Sequence, residues 1–431
     1  MLRSVVVILD GLRRDFVAPH LTPNLCRLRG EAEWFADHRS VVPSVTRVAS
    51  SCIATGCYPA DHGLEGNALA LVEDGRLVVH DAGLPEFFPH RKRVTGRALD
   101  RPTLSERLAA HGGAAVFSNV SPGAAYAQDP DGFGTMYHRA GSHGPGRAPL
   151  DPPPVKGGTE GDRYIADRFL ETLTSDTPPA HALLWLSEPD LSQHDAGIGS
   201  PEHLAALRAS DEEAGRVADA VHELRADGDD VLFIVGSDHG HQTVAGIVDI
   251  GGELIRLGFG EALTAGDLAI APNGTAFLLY ASEAARDLVP ALAAAIGAQS
   301  WAGDVIAADD LATVNHTDRR GLALYVSMAA SDEPNAFGVP GLSHTAKPVT
   351  GEGKPAGCGQ HGGLGRYEQS PFLMIAGAGF AAGATRNEPT GLVDLAPTIL
   401  AHLGVAADGM AGRSLAPSSP AQLHPERKSH V

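Results

Sequence analysis

The chain has 431 residues, 33 Lys and Arg against 52 Asp and Glu, a net charge of −19, 43% hydrophobic residues and four cysteines. That length supports a large core in two or three structural units, and the apolar content excludes a disordered chain. Four cysteines exclude a disulfide scaffold, and the acidic balance excludes a coat for nucleic-acid polymers or for an anionic membrane, since both need basic protein.

The first apolar run, Val5–Leu9, is too short for a signal-peptide core and reads as the first strand of the fold. No run approaches the ~18 apolar residues of a membrane span. Cys26, Cys52, Cys57 and Cys358 form no CxxC pair, so reduced thiols and a cytoplasmic location are expected. Further short apolar runs at Ala114–Ser118, Ala182–Ser187, Val231–Val235 and Phe372–Ala376 suit strands buried on both faces. Helical patterns lie between them. One starts at Thr103, carries Leu104 and Leu108, and stops at Gly112-Gly113. Another takes Ser200 as N-cap and Pro201 as its first residue, and runs through Leu204, Leu207, Ala214, Val217, Val221 and Leu224 to Gly228. A last helix is expected near Leu395–Leu403. This alternation predicts an α/β fold with a doubly wound, mostly parallel sheet flanked by helices.

Two stretches break the rhythm. Residues 119–160, rich in Gly, Pro and His, suggest a long surface excursion near the site rather than core. Residues 245–354 carry their own strands, Thr275–Tyr280 and Leu322–Ser327, and a helix, Ala284–Ile296. They read as a smaller α+β cap subdomain inserted into a core formed by residues 1–244 and 355–431.

The chemistry is concentrated just past the ends of the strands. Asp10 directly follows the first one, Asp190 lies just past Ala182–Ser187, and Asp238-His239 lies just past Val231–Val235. Parallel strands share one carboxyl edge, and ligands bind at that edge. Each aspartate alone is commonly a cap or turn former. Three of them at one edge, two with a histidine nearby (His194, His239), would repel one another unless a cation sat among them.

Residues Pro43–Gly56 read as a loop entering a helix, with Val48, Cys52 and Ile53 on its buried side and Gly56 as its stop. Thr46 then stands at the helix start, where free N–H groups favour an anion, and it suits either a capping residue or a nucleophile. Arg47 beside it either contacts substrate or covers the helix surface.

Asp10-Gly11-Leu12-Arg13-Arg14-Asp15, Thr22-Pro23-Asn24-Leu25, Pro43-Ser44-Val45-Thr46, Thr55-Gly56-Cys57-Tyr58-Pro59-Ala60-Asp61-His62-Gly63 and Asn67 together resemble the opening of the alkaline phosphatase superfamily, in its type I phosphodiesterase/nucleotide pyrophosphatase branch. The later pieces keep the order: Glu188-Pro189-Asp190 with His194, Ser237-Asp238-His239-Gly240, His361-Gly362-Gly363 and Val393–Leu400. The resemblance implies two Zn2+ per chain, bridged by the reacting phosphoryl group. Asp190, His194 and His361 match the ligands of one ion, and Asp10, Asp238, His239 and the nucleophile Thr46 those of the other. Asn67 matches the amide that donates to a phosphate oxygen. Two positions depart from the branch. Gln193 stands where Gly is usual and is expected to narrow the pocket. His241 stands where Met is common and reads as a neighbour of the ligands rather than one of them. His62 is expected to hold a loop rather than a metal.

The implied function is a binuclear zinc hydrolase that cleaves phosphodiester or nucleotide pyrophosphate-type bonds of a small substrate through a phosphothreonine intermediate. A phosphonoacetate hydrolase shares the seven positions but uses lysines after the strand matching Ala114–Ser118, whereas this chain reads Asn119-Val120-Ser121-Pro122. A phosphomonoesterase of the same superfamily and a non-enzymatic metal-binding protein complete the alternatives.

Overall fold

The face each strand residue presents follows from the two-residue period of the strand. In β1 (Leu2–Leu9), Val5, Val7 and Leu9 enter one hydrophobic cluster while Val6 and Ile8 enter another on the opposite face. The same split recurs in β2 (Ala114–Ser118), β3 (His181–Leu186), β4 (Asp230–Gly236) and β5 (Leu373–Ala376). The sheet therefore needs helices on both sides. One side is covered by Thr159–Leu173 and Pro201–Ala226, the other by α1 (Thr46–Thr55) and Leu395–His402. Each fully buried large aliphatic side chain contributes about 1.5–3 kcal/mol.

The computed structural model describes residues 1–416; residues 417–431, the end of the expected 355–431 segment, lie outside them. The main sheet has ten strands in the order Thr385–Arg386, Glu33–Phe35, β5, β4, β1, β3, β2, Thr135–Tyr137, Ser142–His143, Pro149–Leu150. Strands β4, β1, β3 and β2 run parallel, and β5 is antiparallel to β4. This is the expected α/β architecture, with an antiparallel side added. Pro201–Ala226 starts where its signals predict, with Ser200 Oγ accepting from the His203 N–H at 3.2 Å. Among the described residues no helix is long and apolar enough to cross a membrane.

The 119–160 region departs from expectation, because much of it is core. Pro122–Ala127 is helical, and Thr135–Tyr137 pairs in parallel with β2 and extends the sheet. Met136 and His138 are fully buried. The glycines here punctuate short elements. The Asp129 carboxylate accepts from the N–H groups of Gly132, Phe133 and Gly134, which turns the chain into the new strand.

Within residues 245–354, Leu268–Pro272, Ala276–Ala281, Leu322–Met328 and Ala302–Ala307 form an antiparallel sheet in that order. Ile250–Arg256 and Val289–Gly297 pack on one face, and the hairpin Ala68–Glu73/Arg76–Asp81 on the other. The tight turn at Asn273-Gly274 reaches toward the main sheet: Asn273 Oδ1 accepts from the Asn67 N–H at 2.6 Å.

Helix α1 ends at Gly56, whose φ of 63° lies in the left-handed region and whose N–H donates to Cys52 O. A Cβ there would also meet the Met410 sulfur at 2.7 Å. Gly56→Ala is therefore expected to lower unfolding stability by about 1–2 kcal/mol, read from urea midpoints at constant slope. An unshifted midpoint would contradict this account of the α1 stop.

Candidate metal centre and cavity

The parallel register of β1, β3 and β4 brings their carboxyl ends to one place. Asp10 follows β1 and its N–H donates to Leu186 O at the end of β3, while the Asp190 N–H donates to Asp10 O at 3.0 Å. Asp238 follows β4 and accepts the Gly11 N–H on Oδ1 at 3.1 Å. His361 arrives on the return loop from residue 359, its Nδ1 2.7 Å from Ser44 O.

Two clusters result. In the first, His239 Nε2 lies 3.5 Å from Asp10 Oδ1, 3.2 Å from Asp238 Oδ2 and 3.1 Å from Thr46 Oγ1. In the second, Asp190 Oδ1 lies 3.4 Å from His194 Nε2, 3.5 Å from His361 Nε2 and 3.1 Å from His241 Nε2. A tetrahedral ion with bonds of about 2.0–2.1 Å holds its donors about 3.3 Å apart, so both sets have the spacing of such a shell. The unpartnered atoms point the same way. Asp10 Oδ1, Asp190 Oδ1, Asp238 Oδ2 and His241 Nε2 are buried without a hydrogen-bond partner. The other oxygens of Asp10 and Asp238 are occupied, by Trp185 Nε1–H and Gly11 N–H. His194, His239 and His361 each set Nδ1 against a backbone carbonyl, of Gly359, Gly240 and Ser44. That contact fixes the tautomer with Nε2 free, as metal-ligating imidazoles require. These residues thus fit a pair of bound cations.

Electrostatics agree. Burial, with Asp238 and Asp190 nearby, pushes the Asp10 carboxyl well above its ordinary range, and burial pushes Asp238 up to about 8. For Asp190, burial opposes ionisation, but the three histidines around it hold the carboxyl well below its usual range. Burial lowers His194 and His239 to about 4, so both rings are neutral and able to ligate at pH 7.

Thr46 opens α1, as its sequence position predicts, and its hydroxyl faces His239 rather than capping the helix. Asn67 accepts the Arg47 N–H on Oδ1 at 3.2 Å, and among the described residues its Nδ2 has no acceptor. Asp10, Thr46, Asn67, Asp190, His194 and His361 line a cavity of about 250 Å³, together with Arg47 and Arg139.

Two sequence readings change and a third is narrowed. His241 is not merely beside the second cluster: its Nε2 is one of the atoms converging there, 3.1 Å from Asp190 Oδ1, because the loop beyond β4 turns back under Gly11. Gln193 does not narrow the cavity. It is buried beneath the Gly11 turn and donates Nε2–H to Gly11 O at 3.0 Å. Arg47 lines the cavity rather than coating the helix, held there by Asp81 at 3.2 Å. His62 sits apart, with Nδ1 accepting from the Leu64 N–H.

Sequence reasoning also passes over residues that position the site. Buried Glu368 accepts from Thr275 Oγ1 and from the Gly363 and Gly365 N–H groups, which ties the His361 loop to the second sheet. Asn119 and Arg139 reach the cavity from the ends of β2 and Thr135–Tyr137. The signal that could have found them is the same strand-end rule, had 135–137 been read as a strand. A third group, Glu73, His80 and His90, lies outside this cavity, and one Glu73 oxygen already meets both rings at 2.5 and 2.8 Å.

The profile of the type I phosphodiesterase / nucleotide pyrophosphatase family matches residues 4–294, and the chain belongs to that family, within the alkaline phosphatase superfamily. It is accordingly a hydrolase of the phosphodiesterase/nucleotide pyrophosphatase type. No curated protein matches it in sequence. In fold it is similar to murine ectonucleotide pyrophosphatase/phosphodiesterase 5, solved as an inactive variant with AMP, at 17% identity and TM-score 0.66 over 96% of this chain and 97% of that one. The human counterpart is similar at 16% identity and TM-score 0.63, over 95% and 97%.

Proposed function

We propose that the chain is a binuclear zinc phosphodiesterase or nucleotide pyrophosphatase-type hydrolase that works through a phosphothreonine on Thr46. The observation that carries this reading is Thr46 Oγ1 at 3.1 Å from His239 Nε2, beside unpartnered oxygens of Asp10 and Asp238 and opening on the cavity. Asp190, His194 and His361 would hold one ion, with His241 Nε2 placed to complete its shell, and Asp10, Asp238, His239 and Thr46 the other; mixed imidazole and carboxylate donors suit zinc. Such a pair, when bound, stabilises negative charge on the attacking and leaving oxygens.

The chain's own residues account for the rest. The start of α1 fixes Thr46 Oγ1 so that it bonds to phosphorus as the bond to the leaving oxygen breaks. Asn67, oriented by the Arg47 N–H, offers Nδ2–H to a non-bridging oxygen. Hydrolysis of the phosphothreonine then restores the hydroxyl. A nucleotide is the substrate class best supported, given the family and the AMP in the murine structure.

Metal analysis should return about two ions per chain, and chelation should abolish turnover. A fully active metal-free protein would overturn the reading and leave no role for the clusters.

Thr46→Ala should keep both ions, since Asp10, Asp238 and His239 remain, yet lose all but a few per cent of turnover. Asn67→Ala should cost about 10²–10³ in rate. Substantial turnover by Thr46→Ala would point to direct attack by water.

Charge sets the ester preference. Two divalent ions, three carboxylates and a Thr46 alkoxide sum to zero, and Arg47 is already paired with Asp81. A diester adds one negative charge at the reacting group and a monoester dianion adds two. A p-nitrophenyl diester should therefore exceed p-nitrophenyl phosphate by at least about tenfold in kcat/KM, roughly 1.4 kcal/mol. Equal or faster monoester turnover would make the protein a phosphomonoesterase.

A further inference from the structure

The cavity contains two cationic side chains, and they differ in what they hold. Arg47 is half-buried, bound to Asp81 and donating to Asn67 O. Arg139 is half-buried, and among the described residues it has no carboxylate within ion-pair distance. Its Nη1 donates to both oxygens of Asn119, the side-chain one at 2.9 Å, which pins one corner of the guanidinium. Its Nε and Nη2 have no acceptor among the described residues. The carboxylate it feels most is Asp162, and that one is fully engaged. Asp162 lies beneath Asn119 and accepts from Asn119 Nδ2, the Ser187 N–H and hydroxyl, and the Glu188 N–H.

The position of Arg139 follows from topology. Thr135–Tyr137 is parallel to β2, so Arg139, two residues beyond it, lies at the same carboxyl edge as Asp10, Asp190 and Asp238. There it shares a wall of the cavity with Asn119, Ser121, Gly157 and Leu191. A Cβ on Gly157 would stand 3.9 Å from Arg139 Nη2. Its guanidinium is anchored at one corner and open to the cavity at the other, and this free fork matches the two oxygens of a phosphate or carboxylate.

We infer that Arg139 is a specificity-determining residue that binds a second oxyanion of the substrate, carried beyond the reacting phosphoryl group; the inference rests on the phosphodiesterase reading above. The substrate class it selects is a phosphodiester bearing a further phosphate or carboxylate, as a pyrophosphate-linked nucleotide does. Arg139 takes no part in bond making. It holds the distant end of the molecule, and so acts mainly on KM.

The test compares three p-nitrophenyl diesters that differ only in the second ester arm: propyl, 2-carboxyethyl and 2-phosphonooxyethyl. Zinc-loaded wild type should favour at least one anionic arm over propyl. Arg139→Gln should lower that ratio of kcat/KM about 10- to 100-fold, through KM, and Arg139→Lys should lower it less. The arm that loses more identifies the oxyanion as carboxylate or phosphate. Melting temperature and metal content check the folding of each variant. Should Arg139→Gln not fold, inhibition of wild type and Arg139→Lys by 3-phosphonopropionate and propylphosphonate decides, with the former at least about tenfold tighter in wild type and less favoured in the variant. Unchanged ratios in the variants, or equal inhibition by the two phosphonates, overturn the inference. So does a loss confined to p-nitrophenyl phosphate, which would put Arg139 on the reacting phosphoryl group. Absence of diester turnover in metal-loaded wild type is a distinct result that removes the phosphodiesterase reading itself.

Discussion

Three buried carboxylates, Asp10, Asp190 and Asp238, each carry an oxygen with no hydrogen-bond partner, and two of the three are pushed by burial toward protonation. Like charges this close repel by several kcal/mol at the effective dielectric of a protein interior, so the arrangement calls for protons or cations to complete it. The surrounding structure is arranged around that need. The remaining oxygens of Asp10 and Asp238 meet donors, and all four histidines face the clusters with Nε2 while Nδ1 rests on a carbonyl.

Holding such groups in place requires rigid supports. Asp10, Asp190 and Asp238 sit within a few residues of adjacent parallel strands, so the sheet's register fixes their separations. Thr46 begins a helix whose following residues are nearly all buried, and Asn67 is held by Arg47 from one side and Asn273 from the other. Asn273 and Thr275 belong to the second antiparallel sheet and its turn, and Thr275 engages Glu368 beside the His361 loop. The Thr275 N–H also donates to His361 O at 3.1 Å and the Tyr325 hydroxyl to Gly362 O at 3.1 Å, so the residues between 245 and 354 act on the site through several short contacts, without supplying any atom of the clusters.

Legibility varied with how local the signal was. Strand periodicity, the Ser200-Pro201 helix start and the Gly56 stop are set by neighbours within a few residues; the helix start and the stop fall where expected, and the first strand keeps its expected end at Leu9 while beginning earlier, at Leu2. The eight residues singled out from their order along the chain all lie around the cavity or its two clusters. The strand at 135–137 was illegible because, only three residues long and preceded by Gly, it takes its conformation from pairing with β2 and from the Asp129 turn.

Sequence alone determined the layered α/β class and the arrival of acidic groups at one sheet edge, because both follow from apolar periodicity and the shared direction of parallel strands. Tertiary structure alone decided what the ambiguous side chains face. Gln193 turned under Gly11, Arg47 was claimed by Asp81, His241 was brought onto Asp190, and Arg139 was left beside the cavity with part of its fork free. Those outcomes depend on partners tens to hundreds of residues away, and a long polar side chain carries no local pattern that reveals which partner it will meet.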